Sequence, residues 1–150
     1  MNNRLSLVYY LMLIVAVAAA IAMYFMIMHD IIAPLDPSST LGQALQYIVI
    51  FYILASVPGG LYWHKKVCEK ISTMEDKAEQ DRLYTRSAMR RIVLVSAGMI
   101  PAILCFYWMG AYQPMIWMAA IAAIGWYFTK PSEAKKELEL MPKDPNVETY

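Results

Sequence analysis

The chain has 150 residues, of which 59% are hydrophobic and 17% are charged, and its formal net charge is +1. Soluble domains carry about a quarter charged residues, so this composition points to a membrane protein rather than a soluble one. The charges are also unevenly placed: no Asp, Glu, Lys or Arg occurs in residues 5–28, 41–64 or 92–129. A helix needs about 20 apolar residues to cross a bilayer, and each stretch is at least that long.

In chain order, the sequence predicts four transmembrane helices. The third apolar stretch is too long for one crossing, and residues 110–114 interrupt it, where Pro114 suits the first turn of a new helix. The predicted spans are about residues 5–28, 43–64, 92–109 and 114–129. We therefore expect an all-α polytopic integral membrane protein, with a compact four-helix bundle over residues 1–129 and a charged, partly disordered tail over residues 130–150. Within the tail, Ser132 is expected to cap a short helix.

The basic residues predict the orientation of these spans. Every Lys and Arg lies before the first predicted span, between the second and third, or after the fourth. By the positive-inside rule both termini and the middle segment should be cytoplasmic, and we expect a bacterial inner (plasma) membrane. The middle segment, about residues 65–91, holds no Pro or Gly. It should form a helical hairpin that turns near residues 76–80.

A proline and two glycines lie inside the second predicted span. Pro58 lacks an N–H, so it should interrupt the helix and leave the Leu54 carbonyl without its usual partner. Ser96 and Gly98 of the third span are small residues at a similar depth, and they suggest close contact between the second and third helices. Pro101 suggests a second kink. The residues of this predicted break or cavity are Ser56, Pro58, Gly59, Gly60, Ser96, Gly98 and Pro101. A tightly packed, kinked helix pair is favoured, and a small polar cavity for an ion or ligand is the alternative.

A row of arginines marks one face of the predicted hairpin. Arg82, Arg86 and Arg90 recur every four residues, and Arg91 follows directly. Like charges at this spacing repel each other unless something negative covers them. Anionic lipid headgroups are the expected contact of these four side chains.

Several kinds of chemistry find no support in the sequence. The predicted spans contain no charged residue, which disfavours ion-coupled transport. Cys68 and Cys105 are too far apart along the chain's helices to pair, and His29 and His64 are expected at opposite membrane faces. Known catalytic, phosphate-binding and DNA-binding motifs are missing. We therefore predict no cofactor, no metal site and no nucleic-acid partner.

Three functions remain open. The first is a non-catalytic accessory or scaffold subunit of a membrane complex, with a protein partner or self-association. The second is a small homo-oligomeric channel or transporter that uses the predicted break at Pro58–Gly60. The third is a lipid-directed enzyme, in which the arginines grip phosphate and the reactive side chain is one of Tyr84, Cys68 and His64.

Overall fold

A computed structural model describes residues 3–141 of the protein, and within this range every regular element is an α-helix. The end of the predicted disordered tail, residues 142–150, lies outside the described residues. The helices are α1 (Asn3–Met28), α2 (Thr40–Ile71), α3 (Lys77–Ser96), α4 (Met99–Trp108), α5 (Gln113–Phe128) and α6 (Glu133–Leu140). The predicted all-α class is confirmed.

Three helical segments are long and apolar enough to cross a membrane. They are Asn3–Met28, Thr40–Ile71 and Lys77–Trp108, the last of which joins α3 and α4 through a two-residue turn. The membrane class is therefore supported. Helix α5 has 16 residues, which gives a length of about 24 Å against a hydrocarbon core of about 30 Å. Its length alone does not make it a fourth span.

Helices α2 and α3 run antiparallel in close contact. Gly60 of α2 faces Val95, and Gly98, just after α3, faces Ile53. Helix α1 lies alongside α3 and α4 in the same direction, and α4 also packs against α5. These directions bring four helix termini to one end of the protein, which we call the hairpin end. They are the start of α1, the end of α2, the start of α3 and the end of α5.

Pro58 does not divide the second helix. Helix α2 continues through Pro58 from Thr40 to Ile71. A Cβ added at Gly59 would meet nothing within 4 Å among residues 3–141, so no backbone in this range approaches it. The Ser96 hydroxyl donates to the Ile92 carbonyl of its own helix and does not serve the Leu54 carbonyl. Side chains of the neighbouring helix fill the space beside Gly60, and the contact is a packing contact.

The kink expected at Pro101 corresponds to a real interruption. Helix α3 ends at Ser96, and α4 begins at Met99. Proline has no N–H to donate to the carbonyl four residues earlier, and its ring crowds that carbonyl. The affected carbonyl belongs to Ala97, which lies in the two-residue turn between the helices. The proline therefore explains where the third apolar segment bends.

The hairpin and the start of the tail are helical, as expected from their composition. Helix α2 ends at Ile71 and α3 begins at Lys77, so the turn lies slightly before the predicted position. The Asp76 side chain caps α3 by accepting from the backbone N–H groups of Ala78 and Glu79. Helix α6 folds back against α2 instead of extending into solvent. This return brings a tail carboxylate to the hairpin end.

Candidate functional site

A cluster of polar side chains lies between α2, α3 and α6 at the hairpin end. Its centre is His64, whose side chain is only 2% exposed. Two helices and the returning tail contribute the remaining members. The cluster consists of His64, Cys68, Tyr84, Ser87, Arg91 and Glu139.

Helical spacing explains how the first five members meet. His64 and Cys68 are four residues apart on α2, so they lie on one face of that helix. Tyr84, Ser87 and Arg91 follow one another at spacings of three and four on α3, which also puts them on one face. Because α2 and α3 pack antiparallel, these two faces meet.

Glu139 is held by three donors from the other two helices. Its Oε1 accepts from Arg91 Nη1 at 3.1 Å, and its Oε2 accepts from the Tyr84 hydroxyl at 2.7 Å. The same Oε2 lies 3.0 Å from His64 Nε2. Burial alone would raise the pKa of Glu139, but the hydrogen bonds from His64 and Tyr84 and the charge of Arg91 lower it to about 2. The carboxylate is therefore ionised at neutral pH and anchors α6.

Both ring nitrogens of His64 have polar neighbours. Nδ1 lies 2.8 Å from Ser87 Oγ, and Nε2 lies 3.4 Å from Cys68 Sγ as well as close to Glu139. In a Cys–His–acid catalytic triad the acid contacts the nitrogen opposite the nucleophile. Here the thiol and the carboxylate share one nitrogen, so the arrangement is not a triad.

Arg91 has unused hydrogen-bonding capacity. Its side chain is almost fully buried, and its Nε has no partner among the described residues. A buried donor left without an acceptor costs about 1–3 kcal/mol. A bound anion would supply such an acceptor.

A cavity of about 700 Å³ adjoins the cluster. One part of its wall is apolar, formed by Leu61 and Phe128 at the ends of two hydrophobic segments and by Leu138 and Met141 of the tail. The remaining wall is polar and largely charged. Its residues are His64, Lys65, Cys68, Glu69, Ser72, Thr73, Arg91, Lys135 and Glu139.

Three of the four arginines predicted to contact lipid are exposed, and the fourth is buried. Arg82, Arg86 and Arg90 are exposed, and Arg90 also lies over the Trp63 ring at 6.0 Å from the ring centre. Arg91 is only 5% exposed and forms an ion pair with Glu139. Arg91 therefore does not share the exposed face of the other three arginines, because it points between the helices and not outward.

The residues of the expected break do not join this cluster. Gly60 and Gly98 lie in the contact between α2 and α3, and Ser96 is fully buried there. Ser56 is buried too, and its hydroxyl has no partner among the described residues.

The three side chains considered for a lipid enzyme, His64, Cys68 and Tyr84, do come together. The sequence analysis missed Ser87 and Glu139. The four-residue spacing of His64 and Cys68 is a readable signal for a shared helix face. Glu139 is 75 residues beyond His64, and only the return of α6 brings the two together.

No family model matches this chain, and neither a curated protein nor a solved structure matches it.

Proposed function

We propose that the protein is a four-span bundle in which α5 is the fourth crossing and the hairpin end is cytoplasmic. Its support is the direction of the helices, since α1, α2, α3–α4 and α5 alternate in direction along the chain. All the Lys and Arg residues lie on segments assigned to the hairpin end or to the chain termini. Local thinning of the bilayer and tryptophans near the membrane surfaces accommodate a short crossing.

Within this architecture the protein is a non-catalytic binding protein whose cavity takes the headgroup of an anionic lipid. The observation that carries this proposal is that one part of the cavity wall is apolar and the other part is polar and largely charged. Leu61 and Phe128 end the hydrophobic segments, so they lie at the level of the acyl chains. Lys65, Arg91 and Lys135 lie beyond them at the hairpin end. An amphiphile with a negative headgroup matches that order, and the volume is in the range of ligand pockets.

The charges around the cavity also favour an anion. Three cations, Lys65, Arg91 and Lys135, line it beside two carboxylates, Glu69 and Glu139. Burial lowers the pKa of Lys135, and the neighbouring Arg91 lowers it further, while Glu139 acts in the opposite direction. A phosphate would relieve the repulsion between these cations and could accept from Arg91 Nε.

Native mass spectrometry of the full chain tests the lipid proposal. Protein released from nanodiscs of phosphatidylglycerol should retain one lipid per chain, and protein from phosphatidylcholine nanodiscs should retain none. Arg91→Gln and Lys135→Gln should each lose the retained lipid, whereas the exposed Arg82→Gln serves as the matched control and should keep it. Equal retention of both lipids, or retention that depends on Arg82 instead, would contradict the proposal.

An accessory-subunit role is the second candidate, and a groove on the other side of the hairpin favours it. Trp63, Val67, Met74 and Leu83 form its apolar part, and exposed Arg86 and Arg90 flank it. A partner with an amphipathic, acidic helix fits this chemistry. Crosslinking in the native membrane should recover a heterologous partner in near-stoichiometric amount. Recovery of this chain with itself alone would reject the subunit role.

The channel and enzyme hypotheses receive less support from the geometry. The continuous α2 provides no unwound segment for ions, and side chains fill the contact at Gly60. For an enzyme, Cys68 and His64 lack the triad arrangement described above. The binding proposal needs neither an open path nor a reactive side chain.

A further inference from the structure

We propose that His64, Cys68 and Glu139 form a binding site for one Zn²⁺ ion. One potential donor atom from each residue lies within 4.8 Å of the other two. His64 Nε2 is 3.0 Å from Glu139 Oε2 and 3.4 Å from Cys68 Sγ. In a tetrahedral zinc site with bonds of about 2.0–2.3 Å, donor atoms lie about 3.3–3.8 Å apart. Small side-chain adjustments would bring these atoms to that spacing.

The donor set favours zinc over hard cations. A thiolate, an imidazole and a carboxylate combine soft and borderline ligands, whereas Mg²⁺ and Ca²⁺ prefer oxygen ligands alone. A thiolate and a carboxylate would balance the charge of Zn²⁺. Three protein ligands leave the fourth position to a water or anion from the adjoining cavity, where Lys135 and Arg91 favour negative charge.

Neighbouring side chains already orient two of the three ligands, His64 and Glu139. Ser87 Oγ contacts the Nδ1 of His64, the nitrogen that would face away from the metal. Tyr84 and Arg91 donate to the two oxygens of Glu139 and fix its carboxylate. Such outer contacts hold the tautomer and direction of metal ligands.

Metal binding has a defined proton balance. Without metal, Nε2–H of His64 donates to Glu139, and the Ser87 hydroxyl donates to Nδ1. With Zn²⁺ on Nε2, that proton moves to Nδ1 and is donated to Ser87, so the imidazole stays neutral. Cys68 loses its thiol proton to solvent as the Zn–S bond forms. One proton per metal is therefore released, and binding strengthens as pH rises.

No metal site was predicted from the sequence because Glu139 lies 75 residues beyond His64, and no local spacing brings the two together. The third ligand arrives with α6. The zinc site uses the cluster and does not depend on lipid binding in the cavity.

Titration of the purified full chain with Co²⁺, which replaces Zn²⁺ and is visible by absorption, tests the site. We expect one Co²⁺ per chain, with the bands of tetrahedral cobalt and a thiolate-to-cobalt charge-transfer band, and displacement by Zn²⁺. Cys68→Ser should remove the charge-transfer band and weaken binding at least about hundredfold. Cys105→Ser is the matched control because Cys105 is also buried but lies on α4. Absence of the band in the native sequence, or its persistence in Cys68→Ser, would overturn the proposal.

A second measurement does not depend on the folding of the Cys68 variant. In the Cys105→Ser protein, Zn²⁺ should slow maleimide labelling of Cys68, and a chelator should restore it. Ser87→Ala keeps all three ligands and should weaken Zn²⁺ binding about 10–100-fold, as loss of an outer contact does. Labelling that is indifferent to Zn²⁺ would reject the site. Neither measurement involves lipid binding, so a negative result would leave the lipid-headgroup proposal unaffected.

Discussion

At the scale of single residues, Gly125 shows how closely α5 approaches its neighbours. A Cβ at this position would lie 2.9 Å from both Val57 of α2 and Val95 of α3. Real Cβ atoms essentially never come so near, so either the valines or α5 would have to move. The glycine is therefore required by the contact between three helices.

Gly125→Ala is expected to destabilise the protein by about 1–3 kcal/mol, the usual cost of overpacking a tight contact. Thermal unfolding in detergent, followed by circular dichroism, measures the effect. Gly59→Ala is the matched control, since the added methyl group meets nothing within 4 Å. Equal melting temperatures for the two variants would contradict the packing argument.

Adjacent arginines show what the sequence could and could not predict about single residues. Arg90 and Arg91 differ by one position, and a helix turns about 100° per residue, so one faces outward and the other faces α2 and α6. A common role was predicted for the arginines because only their spacing is visible in the sequence. Which of them is buried depends on the position of the neighbouring helix, and local pattern does not contain that information.

At the scale of elements, Glu139 is the side chain that ties α6 to two other helices. Glu139 bonds to α2 and α3 together, and its side chain is 22% exposed. A second ion pair, between Lys136 and Asp81, lies nearer the surface. We therefore expect the docking of α6 to be controlled mainly by Glu139.

Glu139→Gln should release α6, because it leaves the Arg91 charge buried without a counterion. We expect a loss of about 2 kcal/mol, less than the 3–5 kcal/mol of a fully buried pair because Glu139 is partly exposed. Hydrogen exchange followed by mass spectrometry should show faster exchange of the α6 amides. Glu137→Gln on the exposed face of the same helix should leave the exchange unchanged. Similar exchange in both variants would argue against this role of Glu139.

The docking of α6 should also depend on pH in the acidic range. The pKa of Glu139 falls from 4.5 to about 2 on docking, so the docked state binds fewer protons. Its stabilising contribution is complete above pH 4.5 and is lost as the pH falls towards 2. A nitroxide attached through Glu137→Cys should become mobile over that range. The same label in the Glu139→Gln protein should be mobile already at neutral pH; a parallel pH response in the two would refute the assignment.

The elements themselves follow closely from composition. The apolar stretches and the uninterrupted hairpin sequence predict helices whose ends lie within about four residues of the observed ones. Ser132 precedes α6 as expected, but its side chain makes no capping hydrogen bond. Pro58 was expected to interrupt α2, but a long apolar helix can accommodate a proline when neighbouring groups compensate for the lost hydrogen bond. The return of α6 was not predictable, since it depends on contacts with α2 and α3 far away in sequence.

At the scale of the whole molecule, the number of crossings determines where the C-terminus lies. Four crossings put both termini on the same side, and three put them on opposite sides. Reporter fusions after Asn3 and after Met141 should both be active on the cytoplasmic side, and a reporter inserted after Ser38 should be active only on the other side. A cytoplasmic N-terminal fusion with an exported C-terminal one would show that α5 does not cross.

The membrane class and the helix order could be predicted from hydropathy and charge alone. The buried polar cluster could not, because it requires the register between α2 and α3 as well as the return of the tail. Hydropathy treats each segment separately and assigns His64 only to the edge of a span. Both proposed binding sites lie in contacts between segments.

The position of α1 bears on how the protein is made. Within the described residues the backbone of α1 lies close to α3 and α4 and not to α2, the helix that follows it in synthesis. When the first two helices have entered the bilayer, the helices that lie closest to α1 have not yet been made. Residues 5–28 of α1 carry no charge, so we expect α1 to remain in lipid until the later helices arrive. Insertion and assembly should then be separate stages for this chain, and a ribosome stalled after the hairpin turn should leave two independent helices in the membrane.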